Sequence, residues 1–139
     1  MAESSGALRV EVVSPEKVLF SGDATQVITR TIEGGEIAFL PGHAAFLGAL
    51  TQNHTRIYLA DGSIQNLAVH LGFVEVGPDH VTILSDTAEL EEDIDVARAR
   101  AAKARAEEQM RNETSAEAEG ALRRAHARLA ATGGIEASQ

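Results

Sequence analysis

Two patterns of hydrophobic spacing meet near Asp86. From Leu8 to Ser85, short β-branched runs alternate with Gly, Pro, Asp and Asn, the spacing of strands and turns. Leu8 to Val13, Ala24 to Arg30 and Thr55 to Ala60 are such runs. Between Ile57 and Val69 the Asp61-Gly62 pair takes positive φ at low cost, which predicts a tight hairpin. A second hairpin joins Phe73–Val76 to Val81–Leu84 through Gly77-Pro78-Asp79-His80, with Pro78 in the turn because it cannot donate to a ladder. Pairing is expected to end near Ser85. The short spacings leave no room for the helical crossovers of a parallel sheet, so residues 1–87 are expected to form an antiparallel β-sandwich.

After Asp86, Ala, Glu and Arg replace the β-branched residues, and a C-terminal two-helix antiparallel hairpin is expected over residues 88–139. The first helix is predicted over Glu92 to Met110, with Glu91, Glu92, Asp93 and Asp95 at the positive end of its dipole and Arg98, Arg100 and Arg105 further along. Arg111 to Ser115 breaks the pattern. Thr114 and Glu117 have capping-box spacing, and a second helix is predicted from there. Ile94, Ala97, Ala101 and Ala104 on the first helix, and Ala118, Leu122, Ala125 and Leu129 on the second, form stripes that can face each other. An alanine seam buries little apolar area and holds less firmly than a leucine seam. Periodicity leaves a static buttress and a mobile element equally open. From Thr132, through Gly133-Gly134, the tail is expected to fray.

Composition narrows the function classes. The chain has no cysteine, which removes disulfides, thiolate catalysis and cysteine-based metal sites. A formal charge of −9 opposes nucleic acid and anionic lipid. No export signal or membrane-spanning run is legible, so a soluble, unexported protein is expected. No nucleophile elbow, zinc-protease helix, Walker loop or dinucleotide loop occurs, and His43, His54, His70, His80 and His126 lack metal-ligand spacing. These absences point to docking on partner proteins rather than catalysis.

Three segments remain as candidate sites. Glu33-Gly34-Gly35-Glu36 reads as a glycine turn rather than a catalytic carboxylate pair. Leu40-Pro41-Gly42-His43 fits a type II turn that leaves His43 on a rigid projecting loop, structural or functional in equal measure. Between Glu89 and Arg105, Arg98 and Arg105 lie nearly two helical turns apart and can meet the phosphates of one ligand. The same charges also fit an ordinary solvated helix face.

Taken together, SPEKVLFSGDATQV, GGEIAFLPGHAAFLGAL and HLGFVEVGPDHVTILSDTAELEEDIDVARA resemble, in order and content, the epsilon subunits of the rotary proton-translocating ATP synthase. The likeness runs from Leu8 to Met110, and the second helix agrees in length and position. It implies a non-catalytic central-stalk subunit that couples proton-driven rotation to ATP synthesis. The sandwich would sit on the gamma subunit and the membrane ring, peripheral to the membrane's cytoplasmic face, without inserting in it. The hairpin would extend to inhibit ATP hydrolysis.

Carried over by position, the resemblance assigns Glu36, Pro41, Gly42 and His43 to the contact with the ring. The family's I-D-x-x-R-A motif is present as Ile94-Asp95-Val96-Ala97-Arg98-Ala99, with Glu89 and Arg105 also at matching positions. It implies a regulatory ATP site on Glu89, Ile94, Asp95, Arg98, Ala99 and Arg105, ATP being a ligand rather than a required cofactor. Arg111, Arg123, Arg124 and Arg128 are candidates for inhibitory contacts with the catalytic head when the hairpin extends. The chain departs from the pattern at Ala38 and Leu71, where the family has glycine, and at Ala45, where it has proline. The competing expectation is a free-standing β-sandwich adaptor or small-ligand module.

Overall fold

The computed structural model describes residues 7–133. Nine strands come first: β1 (Leu8–Val13), β2 (Val18–Thr31), β3 (Gly35–Phe39), β4 (Phe46–Leu50), β5 (Asn53–Leu59), β6 (Ile64–Val69), β7 (Gly72–Val76), β8 (His80–Leu84) and β9 (Glu89–Leu90). Helices α1 (Val96–Asn112) and α2 (Ala116–Ala131) follow. The strands form one hydrogen-bonded sheet in the order β1-β8-β7-β4-β2-β5-β6-β9, with β3 also on β2, and it folds over its own core as a sandwich. Alternation sets the inward face: Leu8, Val10 and Val12 of β1, Val74 and Val76 of β7, and Val81 and Ile83 of β8 are buried, whereas Arg9 and Glu75 between them are exposed. Phe39, Leu50, Ile57 and Leu67 fill the middle.

Both predicted hairpins are present. Tyr58 opposes Ile64 across the Asp61-Gly62 turn, where Gly62 has φ +93°. Val76 opposes Val81 across the Pro78 turn. The run expected over Ala24–Arg30 belongs to a much longer strand, because Val18 to Ala24 pairs with β1 and Ala24 to Thr31 then pairs with β5 and β3. Two further features correct the expectation. β1 and β8 are parallel, Val10 opposite Val81, because the whole sandwich rather than a helix lies between them in sequence. Pairing also does not stop near Ser85: β9 adds to β6 with Glu89 opposite Ala68 and Leu90 opposite Leu67.

The helices also differ in detail. Glu91 to Asp93 form a short 3-10 turn outside α1, so the acidic cluster precedes the helix and Asp95 is its N-cap. Ser115, not Thr114, caps α2, its hydroxyl accepting from the Ala118 N–H at 3.1 Å; the third helical residue is thus alanine and no capping box forms. On α2 the predicted stripe holds, with Ala118, Ala125 and Leu129 buried and Leu122 half-buried. On α1 it does not: Ala97, Ala101 and Ala104 are exposed, and the inner seam is Val96, Ala99, Lys103, Ala106 and Met110. Alanine fits either face of such a helix, so only packing selects the phase. Thr132 ends α2 by bonding the carbonyls of Arg128 and Leu129, and the tail beyond Gly133 lies outside the described residues.

α2 is sandwiched between α1 and the β5–β6 layer. Its contact with that layer is a cluster of Ala68, Ala127 and Ala131 with Ile94 against it. The register puts His54, Arg56 and Asn66 on the same sheet face as Ala68. The hairpin therefore rests on a small apolar spot within a polar face.

Candidate functional site

The β9 strand and the start of α1 converge on the arginines of both helices. Pairing with β6 fixes Glu89, and the turn at Glu91–Asp93 lets the chain double back so that Asp95 opens α1. The Asp95 carboxylate accepts the Arg98 N–H at 3.1 Å. Arg98 and Arg105, both exposed, project from one side of α1 as their spacing predicts. Together with Glu89, Asp93, Ala99, Ala102 and Arg128 they line a cavity of about 360 Å³. A second cavity of about 240 Å³ beside it is lined by Arg105, Gln109, Arg124 and Arg128. The site therefore brings the carboxylates of Glu89, Asp93 and Asp95 and the guanidinium groups of Arg98, Arg105 and Arg128 to one cavity, chemistry that suits a ligand with a polar head and several phosphates.

Of the six residues expected here, Glu89, Asp95, Arg98, Ala99 and Arg105 line the cavity. Ile94 does not; it packs with Ala68, Ala127 and Ala131 and so secures the approach to α1 instead. The four arginines expected at inhibitory contacts divide. Arg111 is exposed and pairs with Glu108 on its own helix, and Arg123 is exposed. Arg124 and Arg128 are half-buried and turned into the cavities.

Sequence reading missed the contact that ties this site to the sandwich. Glu89 Oε1 receives Arg128 Nε at 2.7 Å and His70 Nε2 at 2.9 Å. Burial alone would raise the Glu89 pKa, but hydrogen bonds from His70 and Arg128 outweigh it and hold the carboxyl below its ordinary value. Burial pushes the His70 pKa down, and the bond to Glu89 only partly offsets this. The ring is then neutral at neutral pH, and the pair is a charge-assisted hydrogen bond rather than a salt bridge. No motif announces His70.

The Leu40–His43 turn is built as expected: the His43 N–H bonds the Leu40 carbonyl at 3.1 Å, and Gly42 has φ +88°, where a side chain would be strained. The Gly42 N–H also bonds Pro78 O at 2.7 Å, bracing the loop on the β7–β8 turn. The His43 ring donates from Nδ1 to Ala44 O at 2.7 Å and meets Phe39 edge-on at 4.9 Å. Glu36 does not join this loop. It lies at the other end of β3 and pairs with Arg56 at 2.6 Å.

A further surface was not legible as a site. Val13, Leu84, Phe73 and Ala49 are successive neighbours across β1, β8, β7 and β4, and they make an apolar band on the outer face. Phe73 is 53% exposed, Leu47 at the band's edge 70% and Ile32 beside it 62%. Such contiguous exposure is the pattern of an interaction surface rather than ordinary scatter. Among the described residues no metal-ligating cluster occurs, and no helix is long and apolar enough to cross a membrane.

Comparison with known proteins agrees with this architecture in both halves. Residues 7–91 match the family model of the ATP synthase delta/epsilon chain β-sandwich domain, and residues 92–133 that of its long α-helix domain. The chain is 41% identical to the ATP synthase epsilon chain of Moorella thermoacetica, over 93% of this chain and 98% of that one. It is 46% identical to that of Halalkalibacterium halodurans, over 91% of this chain and 97% of the relative. A chain in the cryo-EM structure of the Euglena gracilis mitochondrial ATP synthase OSCP/F1/c-ring, in rotational state 1, shares the fold with a TM-score of 0.75. It is 20% identical, the match covering 88% of this chain and 79% of that one. Matched along both its sandwich and its hairpin, the chain belongs to the ATP synthase delta/epsilon chain family.

Proposed function

We propose that the chain is a non-catalytic rotor subunit of the central stalk, held by its sandwich and regulated through its hairpin. Family membership carries the first half. The apolar band through Phe73 and Leu84 is the face offered to a gamma-type partner, and the braced Leu40–His43 loop is the contact with the membrane ring. Glu36 lies too far along β3 to share that loop's contact and acts from a separate point of the same strand. Peripheral attachment at the cytoplasmic face follows from these partners, and no group in the chain needs to react.

The regulatory half rests on the cavity between Glu89, Asp95, Arg98, Arg105 and Arg128. It is formed by both helices, so it exists only while the hairpin is folded down. A ligand that binds only this form stabilises it, by about 2.7 kcal/mol at a hundredfold excess over its dissociation constant. The apolar contact of α2 with the sandwich is a few alanine methyls, joined by the single Arg128–Glu89 ion pair, a seam that such an energy can shift. ATP supplies the charge the arginines require. At low ATP the hairpin extends, freeing Arg124 and Arg128 to join Arg111 and Arg123 against acidic surfaces of the catalytic head.

Titration of the whole chain with ATP, beside Arg98→Ala, tests the sensor. Saturable binding that the variant weakens is expected, and no binding at millimolar ATP removes the sensor while leaving the subunit role. Truncation after Asp86 should relieve inhibition of ATP hydrolysis in the assembled complex; unchanged hydrolysis would remove the brake. Co-purification with a long coiled-coil partner separates the rotor subunit from a free-standing adaptor.

A further inference from the structure

His70 follows β6 directly and lies under the hairpin, its side chain 4% exposed. Its Nε2–H donates to Glu89, which leaves Nδ1 as a bare acceptor, buried and without a partner. Glu89 in turn holds Arg128 of α2. One carboxylate thus joins the sandwich to the moving helix, and a buried imidazole orients that carboxylate. Asp86, Gln52, Thr87, Arg124 and Arg128 surround His70 and Glu89 in a cavity of about 410 Å³.

Protonation of His70 in this closed form creates an N–H at Nδ1 with no acceptor, beside the cationic Arg128 and Arg124. Undocking α2 exposes the ring to water, where the proton is accepted freely. We propose that His70, Glu89 and Arg128 form a proton-responsive latch that holds the hairpin on the sandwich and releases it on acidification. The inference deepens the hairpin reading above and requires no nucleotide. Because burial depresses the pKa of His70 in the closed form, closure is fully supported above the ordinary histidine value. It weakens by up to about tenfold per pH unit below about 6.5, until the closed form itself titrates. Glu89, held down in the closed form, works in the same direction at lower pH. Among the described residues, the other titratable and charged groups around the latch are Asp93, Asp95, Arg98 and Arg105 in the cavity beside Glu89, Glu91 against Asn66 of β6, His126 on α2, whose Nε2 is buried without a partner, and His54 and Arg56 on β5. A variant of His70 alone separates its part from theirs.

The cysteine-free chain allows dyes at Glu16→Cys and Glu117→Cys, and energy transfer between them is followed without nucleotide over about pH 5.5 to 8, the range of histidine titration. Transfer in the parent is expected to fall below about pH 6.5. His70→Gln, which keeps a donor for Glu89 but cannot titrate, is expected to hold it. A parent that stays flat, or a glutamine variant that opens along the parent curve, overturns the latch. Nuclear magnetic resonance of the parent's His70 ring decides independently of the variant: titration at the ordinary value while the α2 amides stay docked also overturns it. Opening that depends on His70 in a chain that fails to bind ATP upholds the latch and removes only the sensor.

Discussion

The Asp95 carboxylate accepts the backbone N–H of Arg98 at 3.1 Å, so one side chain both starts α1 and borders the candidate ligand cavity. The two roles separate by substitution. Asp95→Ala removes the cap, at a cost of about 1 kcal/mol to the helix. Asp95→Asn keeps a capping oxygen and is expected to leave thermal stability within about 0.5 kcal/mol while changing ATP affinity. Melting curves and ATP titrations of both variants check this.

Arg98→Ala and Arg105→Ala are expected to lower ATP affinity by about tenfold or more each, the scale of a charge-assisted hydrogen bond. Both residues are exposed, so unfolding midpoints should hardly move. Rising salt should shrink the difference between parent and variant. Calorimetric titration at two salt concentrations measures it.

At the Leu40–His43 turn, Gly42→Ala forces a side chain to φ +88° and should cost about 1–2 kcal/mol in denaturant unfolding. The strain falls on the loop read as the ring contact. Coupled ATP synthesis in the assembled complex should therefore drop more than global stability explains. A variant that folds and couples normally would sink that assignment.

Ala127 and Ala131 on the inner face of α2 pack on Ala68 of β6. Ala127→Leu overfills this seam, at a cost of about 1–3 kcal/mol that undocking relieves. Hydrogen exchange should speed up along α2 and remain slow in β1 and β8. Uniform protection in both halves would show that the hairpin is not separable.

His54 on β5 gives a pH signature of its own. Burial lowers its pKa, more than the bond to Asn66 at 2.6 Å restores. A depressed histidine contributes stability above the ordinary value near 6.5 that is lost as pH falls through the folded-state value. Chain stability should be level above neutrality and decline below about pH 6.5, and His54→Gln should flatten part of that decline. Denaturant midpoints across the range check it.

The strands were legible because β1, β7 and β8 alternate cleanly, with turns marked by Gly62 and Pro78. The phase of α1 was not, because alanines occupy both of its faces and sequence alone does not choose between Ala97 and Ala99. Five of the six residues assigned to the ATP site by resemblance line one cavity, as the spacing of Arg98 and Arg105 suggested. Ile94 belongs to the motif for a different physical reason, as a plug between hairpin and sheet. The link from His70 through Glu89 to Arg128 spans three distant segments, and β9 is too short to leave a periodic signal. The apolar band also escaped notice, since Leu47, Phe73 and Leu84 are separate single residues until the register aligns them.

Strand β2 has a consequence for load. Its 14 residues run as one strand from the edge shared with β1 to the edge shared with β3 and β5, with a bulge at Thr25 where it changes partner. Neither layer can slide against the other without breaking that one strand's hydrogen bonds on both sides. A torque applied at the outer band is carried as shear through the hydrogen bonds that this shared strand makes in both layers. The sandwich should yield as a single unit under force, which leaves the hairpin as the compliant part.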